Sequence, residues 1–122
     1  MSETSTAYNP VTAEIAEELR SIVGEQYVVF DDAEKLEAYS HDEVAEAEYA
    51  HMPEALVRPD TTEQVAAILK LANRERIPVT PRGAGSGLSG GAVPIYGGIV
   101  MLVDRMNRVV DIDTGNMTVT VE

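Results

Sequence analysis

The segment "TTEQVAAILKLANRER", Thr61 to Arg76, admits one regular structure. Val65, Ile68, Leu69 and Ala72 recur at helical spacing and make one apolar face. Thr61 with Gln64 three residues on forms a capping box, and Arg74 and Arg76 sit near the negative end of the helix dipole. Short apolar runs bracket this helix, "EALVRP" before it, ended by Pro59, and "IPVTP" after it. Strand, helix and strand in that order oblige a crossover unit, right-handed by the sterics of twisted strands. "GGIVMLVD" is a near-continuous apolar run, as for a strand covered on both faces. "RVVDID", the turn "TGN" and "MTVTVE" then alternate with period two, as a hairpin does. The expected class is α+β (α/β), a small mixed sheet with a β-α-β start.

The first half reads differently. Asn9-Pro10 offers a helix cap followed by proline, and Ile15, Leu19, Ile22 and Val23 follow at helical spacing until Gly24 stops the helix. Asp31 and Asp32 can cap a second short helix through Leu36 and Tyr39. "SHDEVAEAEYAHMP" lacks a sustained apolar period and reads as an irregular crossing segment. Residues 1–52 are therefore expected to form an acidic helical arm, and 53–122 a second unit. "MTVTVE" ends without a turn or closing helix, and the expectation is a piece of a longer protein.

The formal net charge of −12 is carried by the first half. Met1 to Glu54 holds fourteen acids and two bases, Arg20 and Lys35, whereas Ala55 to Glu122 holds seven of each. An acidic chain without a basic stripe is a poor partner for nucleic acid, where phosphate neutralisation dominates affinity. The absence of cysteine excludes disulfides, thiolate metal sites and cysteine nucleophiles. No apolar run reaches the roughly eighteen residues of a membrane helix. The N-terminus lacks the basic-then-apolar order of a signal peptide, and the expected location is the cytoplasm. His41 and His51, ten residues apart, fit neither a metal site nor a catalytic dyad. No metal and no catalytic residue is assigned.

Five of the nine glycines fall within "VTPRGAGSGLSGGAVP", Val79 to Pro94. Gly85, Gly87 and Gly90 satisfy G-x-G-x-x-G, with Asp104 further on at a strand end. The dinucleotide fingerprint needs those glycines to open a helix, but Pro94 and Gly97-Gly98 leave no room for one before Ile99. A Walker loop fails too, because Gly91-Ala92 stand where lysine and a hydroxyl residue belong. Flexible linkers are polar, and this loop carries Ala84, Leu88, Ala92 and Val93 between prolines. A purely structural corner remains open beside a backbone cradle for a phosphate-bearing ligand. In the cradle, successive N–H groups turn inward as an anion nest and no Cβ blocks approach. Ser86 and Ser89 add hydroxyl donors, and Arg82 either adds charge or is a surface arginine. A side chain at Gly85 is expected to fill the anion's space.

The ordered pieces "RPDTTEQV", "PVTPRGAGSGLSGGAVP" and "LVDRMNRV" resemble the opening of the FAD-binding domain of the p-cresol methylhydroxylase and vanillyl-alcohol oxidase superfamily. The branch most resembled contains the glycolate oxidase FAD-binding subunit and the FAD-linked D-lactate dehydrogenases. The resemblance covers Pro53 to Glu122 and reaches back through Tyr39 and Asp42, which match that branch's tyrosine and aspartate. It implies that Pro81, Arg82, Gly83, Ala84, Gly85, Ser86, Gly87 and Leu88, with Gly90, Gly91 and Ala92, wrap the FAD diphosphate. Some members place a histidine at the position of Ser86 and bond it to the flavin, so serine there implies non-covalent FAD. Met106 and Asn107 match a structural segment. The implied activity is oxidation of a 2-hydroxy acid, with a base and carboxylate anchor supplied outside these residues, and with an electron acceptor or partner subunits. Alternatives are another alcohol or sugar on the same fold, and a binding or assembly module without chemistry.

Overall fold

The computed structural model describes residues 7–44 and 49–122. The elements are α1 (Ala13–Val23), β1 (Val28–Phe30), α2 (Ala33–Glu37), β2 (Ala55–Val57), α3 (Thr62–Glu75), β3 (Val79–Arg82), β4 (Ile99–Leu102), β5 (Val109–Asp113) and β6 (Thr118–Val121). Four strands form one mixed sheet in the order β1-β2-β4-β3, with β1 antiparallel to β2 and the rest parallel. The β2-α3-β3 crossover therefore leaves a slot between its strands, and β4 fills it. Ile99 is in register with both Ala55 and Val79.

Position in the sheet explains the apolar runs. β2 and β4 are buried at every residue because side chains alternate between two covered faces. On one face Ala55, Val57, Ile99 and Met101 pack with Ile15, Leu19 and Val23 of α1 and Ile68 and Leu71 of α3. On the other, Leu56, Val100 and Leu102 pack with Leu36 of α2 and the partly buried Tyr39. The buried face of α3 is set by Ile68, Leu71 and Ala72, whereas Leu69 is exposed. The sequence reading placed Leu69 on the apolar face and passed over Leu71, because the two leucines lie at opposite edges of the stripe and only packing on the sheet separates them.

Several local expectations shift by a few residues. Thr12 caps α1, its hydroxyl accepting from the Ile15 N–H at 3.3 Å. Asn9 is committed elsewhere: its backbone N–H donates to the Arg76 carbonyl and its side chain to the Glu75 carbonyl. Gly24 ends α1 as expected, and Asp32 caps α2. Thr61 accepts from the Gln64 N–H at 3.1 Å, while the Gln64 side chain reaches back to the N–H of Asp60, one residue before the cap. β1 was not anticipated. "VVF" is short, and its pairing with β2 supplies the stability that so brief a run lacks alone. Through α1 and β1, residues before 53 thus share the core and the sheet with those after it. Ser40 to Val44 runs without helix or strand, as expected. Residues 45–48 of that crossing segment, and residues 1–6 of the N-terminal stretch, lie outside the described residues.

β5 and β6 form a separate antiparallel hairpin with a bulge between Val109 and Asp111. The Asp113 carboxylate accepts from the side chain and N–H of Asn116, which closes the turn and holds that carboxyl below the usual aspartate range. Val109, Val110, Ile112, Val119 and Val121 are each more than half exposed, on both faces of the ribbon. No helix among the described residues is long and apolar enough to cross a membrane.

Candidate functional site

β3 delivers the chain to the glycine-rich stretch at its carboxyl end, the end of parallel strands where ligands gather in α/β sheets. From Gly83 to Gly98 the chain makes only turns and bends before β4 begins. No helix follows the glycines, so the Rossmann arrangement is excluded by structure as well as by sequence. Asp104, the residue imitating that fingerprint's acid, pairs through both carboxylate oxygens with Arg58, at 3.1 and 2.8 Å. That bidentate contact raises the Arg58 pKa and locks the end of β2 to the exit of β4.

Among the described residues, none of the seven backbone N–H groups from Gly83 to Ser89 has a protein acceptor. Their residues are exposed except for the half-buried Gly85. A Cβ added at Gly83, Gly87 or Gly91 would meet no atom within 4 Å. The loop thus presents consecutive donors beside open space, which fits a diphosphate held by backbone N–H groups. Pro81, Ala84, Ser86 and Leu88 are exposed along the same stretch, and Gly90 and Ala92 are half-buried at its far side.

Gly85 differs from its neighbours. Its φ of +70° lies in the left-handed region, and an added Cβ would collide with the guanidinium of Arg82. The space over Gly85 therefore belongs to Arg82, and not to an anion as the sequence suggested. Arg82 is not a surface arginine either. It is 8% exposed, donates from Nη1 to the His41 carbonyl at 2.7 Å, and lies 5.5 Å from the centre of the Tyr39 ring. Its charge is directed behind the loop, into the segment carrying Tyr39 and Asp42.

Sequence reasoning matched Tyr39 and Asp42 to a family pattern but gave them no task, and the structure does. The Asp42 carboxylate accepts from the N–H of Gly90 at 2.9 Å and of Val44 at 2.8 Å. Glu54 was missed entirely. Its carboxylate accepts from the N–H of Val11 at 3.1 Å and of Gly98 at 2.7 Å, tying the approach to α1 to the end of the glycine stretch. The contacts that tie these carboxylates to the glycine stretch span more than forty positions, so no local pattern marks them.

Comparison with known proteins gives the family of this chain. Residues 53–122, more than half of the chain, match the family described as the FAD binding domain. The chain belongs to that family. FAD is the cofactor that this domain holds. A D-lactate dehydrogenase of Anaerostipes hadrus is 42% identical over 115 residues, covering 94% of this chain and 24% of that protein. Glycolate oxidase subunit GlcD of Bacillus subtilis is 36% identical over 112 residues, covering 92% and 23% respectively. The chain thus spans about a quarter of the length of these curated relatives. The solved structure of p-cresol methylhydroxylase with substrate bound matches 88% of this chain and 22% of its own, with a TM-score of 0.72 and 27% identity. Alkyldihydroxyacetonephosphate synthase matches 99% of this chain and 24% of its own, with a TM-score of 0.77 and 19% identity, and so shares the fold. The small mixed sheet with its β-α-β start is the fold of the FAD-binding domain, shared with p-cresol methylhydroxylase.

Proposed function

We propose that Pro81 to Leu88, with Gly90, Gly91 and Ala92, hold the diphosphate of a non-covalently bound FAD, and that the full-length protein oxidises a 2-hydroxy acid of the glycolate or D-lactate type. The run of unpaired N–H groups from Gly83 to Ser89 carries this reading. These groups donate to the diphosphate oxygens, and the open faces of Gly83, Gly87 and Gly91 let the anion approach the backbone. Pro81 to Ala92 contains no histidine, cysteine or tyrosine to form a bond to the flavin. When bound, FAD supplies the ring that accepts a hydride from the substrate. In this reading residues 53–122 are the first part of the FAD-binding domain. The base that takes the hydroxyl proton and the cation that anchors the carboxylate come from outside them. The names of the D-lactate and glycolate relatives support the substrate class, and the subunit name of the latter supports a partner subunit.

The alternative is an aromatic or other alcohol on the same fold, favoured by the likeness to p-cresol methylhydroxylase. The flavin itself discriminates. Full-length protein mixed anaerobically with D-lactate or glycolate is expected to lose its oxidised-flavin absorbance. Acid precipitation is expected to release intact FAD into the supernatant. A flavin bleached by an aromatic alcohol but by no 2-hydroxy acid would transfer the protein to the alternative. Colour retained in the precipitate would refute the non-covalent link.

A further inference from the structure

We propose that Asp42 is the positioning residue of the glycine loop, holding its N–H groups in the anion-binding arrangement before any ligand arrives. The inference rests on the reading of Gly83 to Ser89 as the diphosphate cradle and assigns the part of the molecule that shapes it. Asp42 is 7% exposed, and both of its carboxylate oxygens are engaged, one by the Gly90 N–H and one by the Val44 N–H. On either side of it in sequence, the Glu43 N–H donates to the Gly87 carbonyl at 3.1 Å and the His41 carbonyl accepts from Arg82. Three consecutive residues, His41, Asp42 and Glu43, therefore grip the loop at Arg82, Gly87 and Gly90. Between those grips lie the N–H groups that have no acceptor of their own.

Such a clamp has a physical purpose. A glycine-rich loop loses much conformational freedom when it orders, and a ligand that must order it binds more weakly by that amount. Contacts that fix Gly87 and Gly90 beforehand remove this cost from the binding step. A carboxylate is nevertheless an unwelcome neighbour for a diphosphate, and among the described residues no basic side chain forms an ion pair with Asp42. Repulsion and positioning thus predict opposite signs for its removal. Buried charge-assisted hydrogen bonds are short-range and strong, whereas the repulsion acts through a hydrated, open loop, so positioning dominates.

Asp42→Asn preserves the shape but replaces one acceptor oxygen with a donor that faces an N–H. Asp42→Glu keeps the charge and displaces the carboxylate by one methylene. Both variants of the full-length protein are stripped of flavin and titrated with FAD and with ADP, which carries the same diphosphate without the ring. Each is expected to raise both dissociation constants by about tenfold, the loss of one charge-assisted hydrogen bond. The folded fraction is measured in parallel by thermal unfolding. Unchanged dissociation constants in folded variants would reduce Asp42 to a structural residue, and tighter binding by Asp42→Asn would show that repulsion wins. Either result overturns the proposal. Should the variants fail to fold, amide exchange in flavin-free wild-type protein decides. The Gly90 N–H is expected to exchange at least about tenfold more slowly than those of Gly83 to Ser89, and equal rates would overturn the proposal. Gly87→Val serves as the control on the underlying reading. If it abolishes binding while the Asp42 variants do not shift it, only this inference fails. If wild-type protein binds FAD and Gly87→Val changes nothing, the cradle itself is misplaced.

Discussion

Replacing Gly87 with valine is expected to strip the full-length protein of flavin while leaving its fold intact. A Cβ at Gly87 meets no protein atom within 4 Å, and the residue is outside the left-handed region, so the chain itself has no objection to a side chain. The ligand does. A valine there projects into the space beside the N–H groups of Ser86 to Leu88. Losing two charge-assisted hydrogen bonds, at about 1.5–3 kcal/mol each, raises the FAD dissociation constant on the order of a hundredfold or more. Flavin content by absorbance, with circular dichroism as the check on folding, measures the effect. A folded Gly87→Val protein with a full complement of FAD would move the diphosphate away from this loop. Gly85→Val is a less informative variant, because it also forces the Arg82 guanidinium out of its buried seat.

The second large effect falls on folding instead. Gly98→Ala is expected to destabilise the protein by about 3 kcal/mol or more, summing a left-handed backbone penalty and a steric clash. Gly98 has a φ of +67°, and a Cβ there would collide with the carbonyl oxygen of Pro78 and stand 2.7 Å from its ring. The obstacle is backbone and proline ring, and neither can rotate away. Gly98 also accepts from the N–H groups of Glu54 and Ala55 and donates to the Glu54 carboxylate, so any retreat disturbs the start of both β2 and β4. Chemical denaturation of wild type and variant gives the difference directly. A loss smaller than about 1 kcal/mol, the ordinary size of a surface substitution, would mean that the contact relaxes easily.

These two glycines show what was and was not legible in the sequence. The β-α-β start, the strand covered on both faces and the hairpin could all be read, because each is written in a local period of apolar residues and in turn chemistry. The glycine run was readable as an irregular loop, since no helix or strand could occupy it. What each glycine does inside that run was not. Gly87 faces open space, Gly85 makes room for Arg82 and Gly98 makes room for Pro78. Those distinctions depend on partners brought together by the sheet. β1 escaped notice because three residues carry no period, and only pairing with Ala55 to Val57 makes them a strand. Asp42 and Glu54 were invisible as supports for the same reason. A carboxylate in an acidic half reads as a solvated surface until the fold places it against a buried N–H. Leu69 and Leu71 lie on opposite edges of one helical stripe, and only the packing of α3 on the sheet decides which is buried.

Amide hydrogen exchange on the full-length protein, with and without saturating FAD, addresses the central claim most directly. The N–H groups from Gly83 to Ser89 have no protein acceptor and should exchange rapidly in the flavin-free protein. FAD is expected to slow several of them markedly, while Gly98 and the strands β2 and β4 change little. Saturation with FAD that leaves Gly83 to Ser89 exchanging as before, with protection appearing elsewhere, would contradict the account.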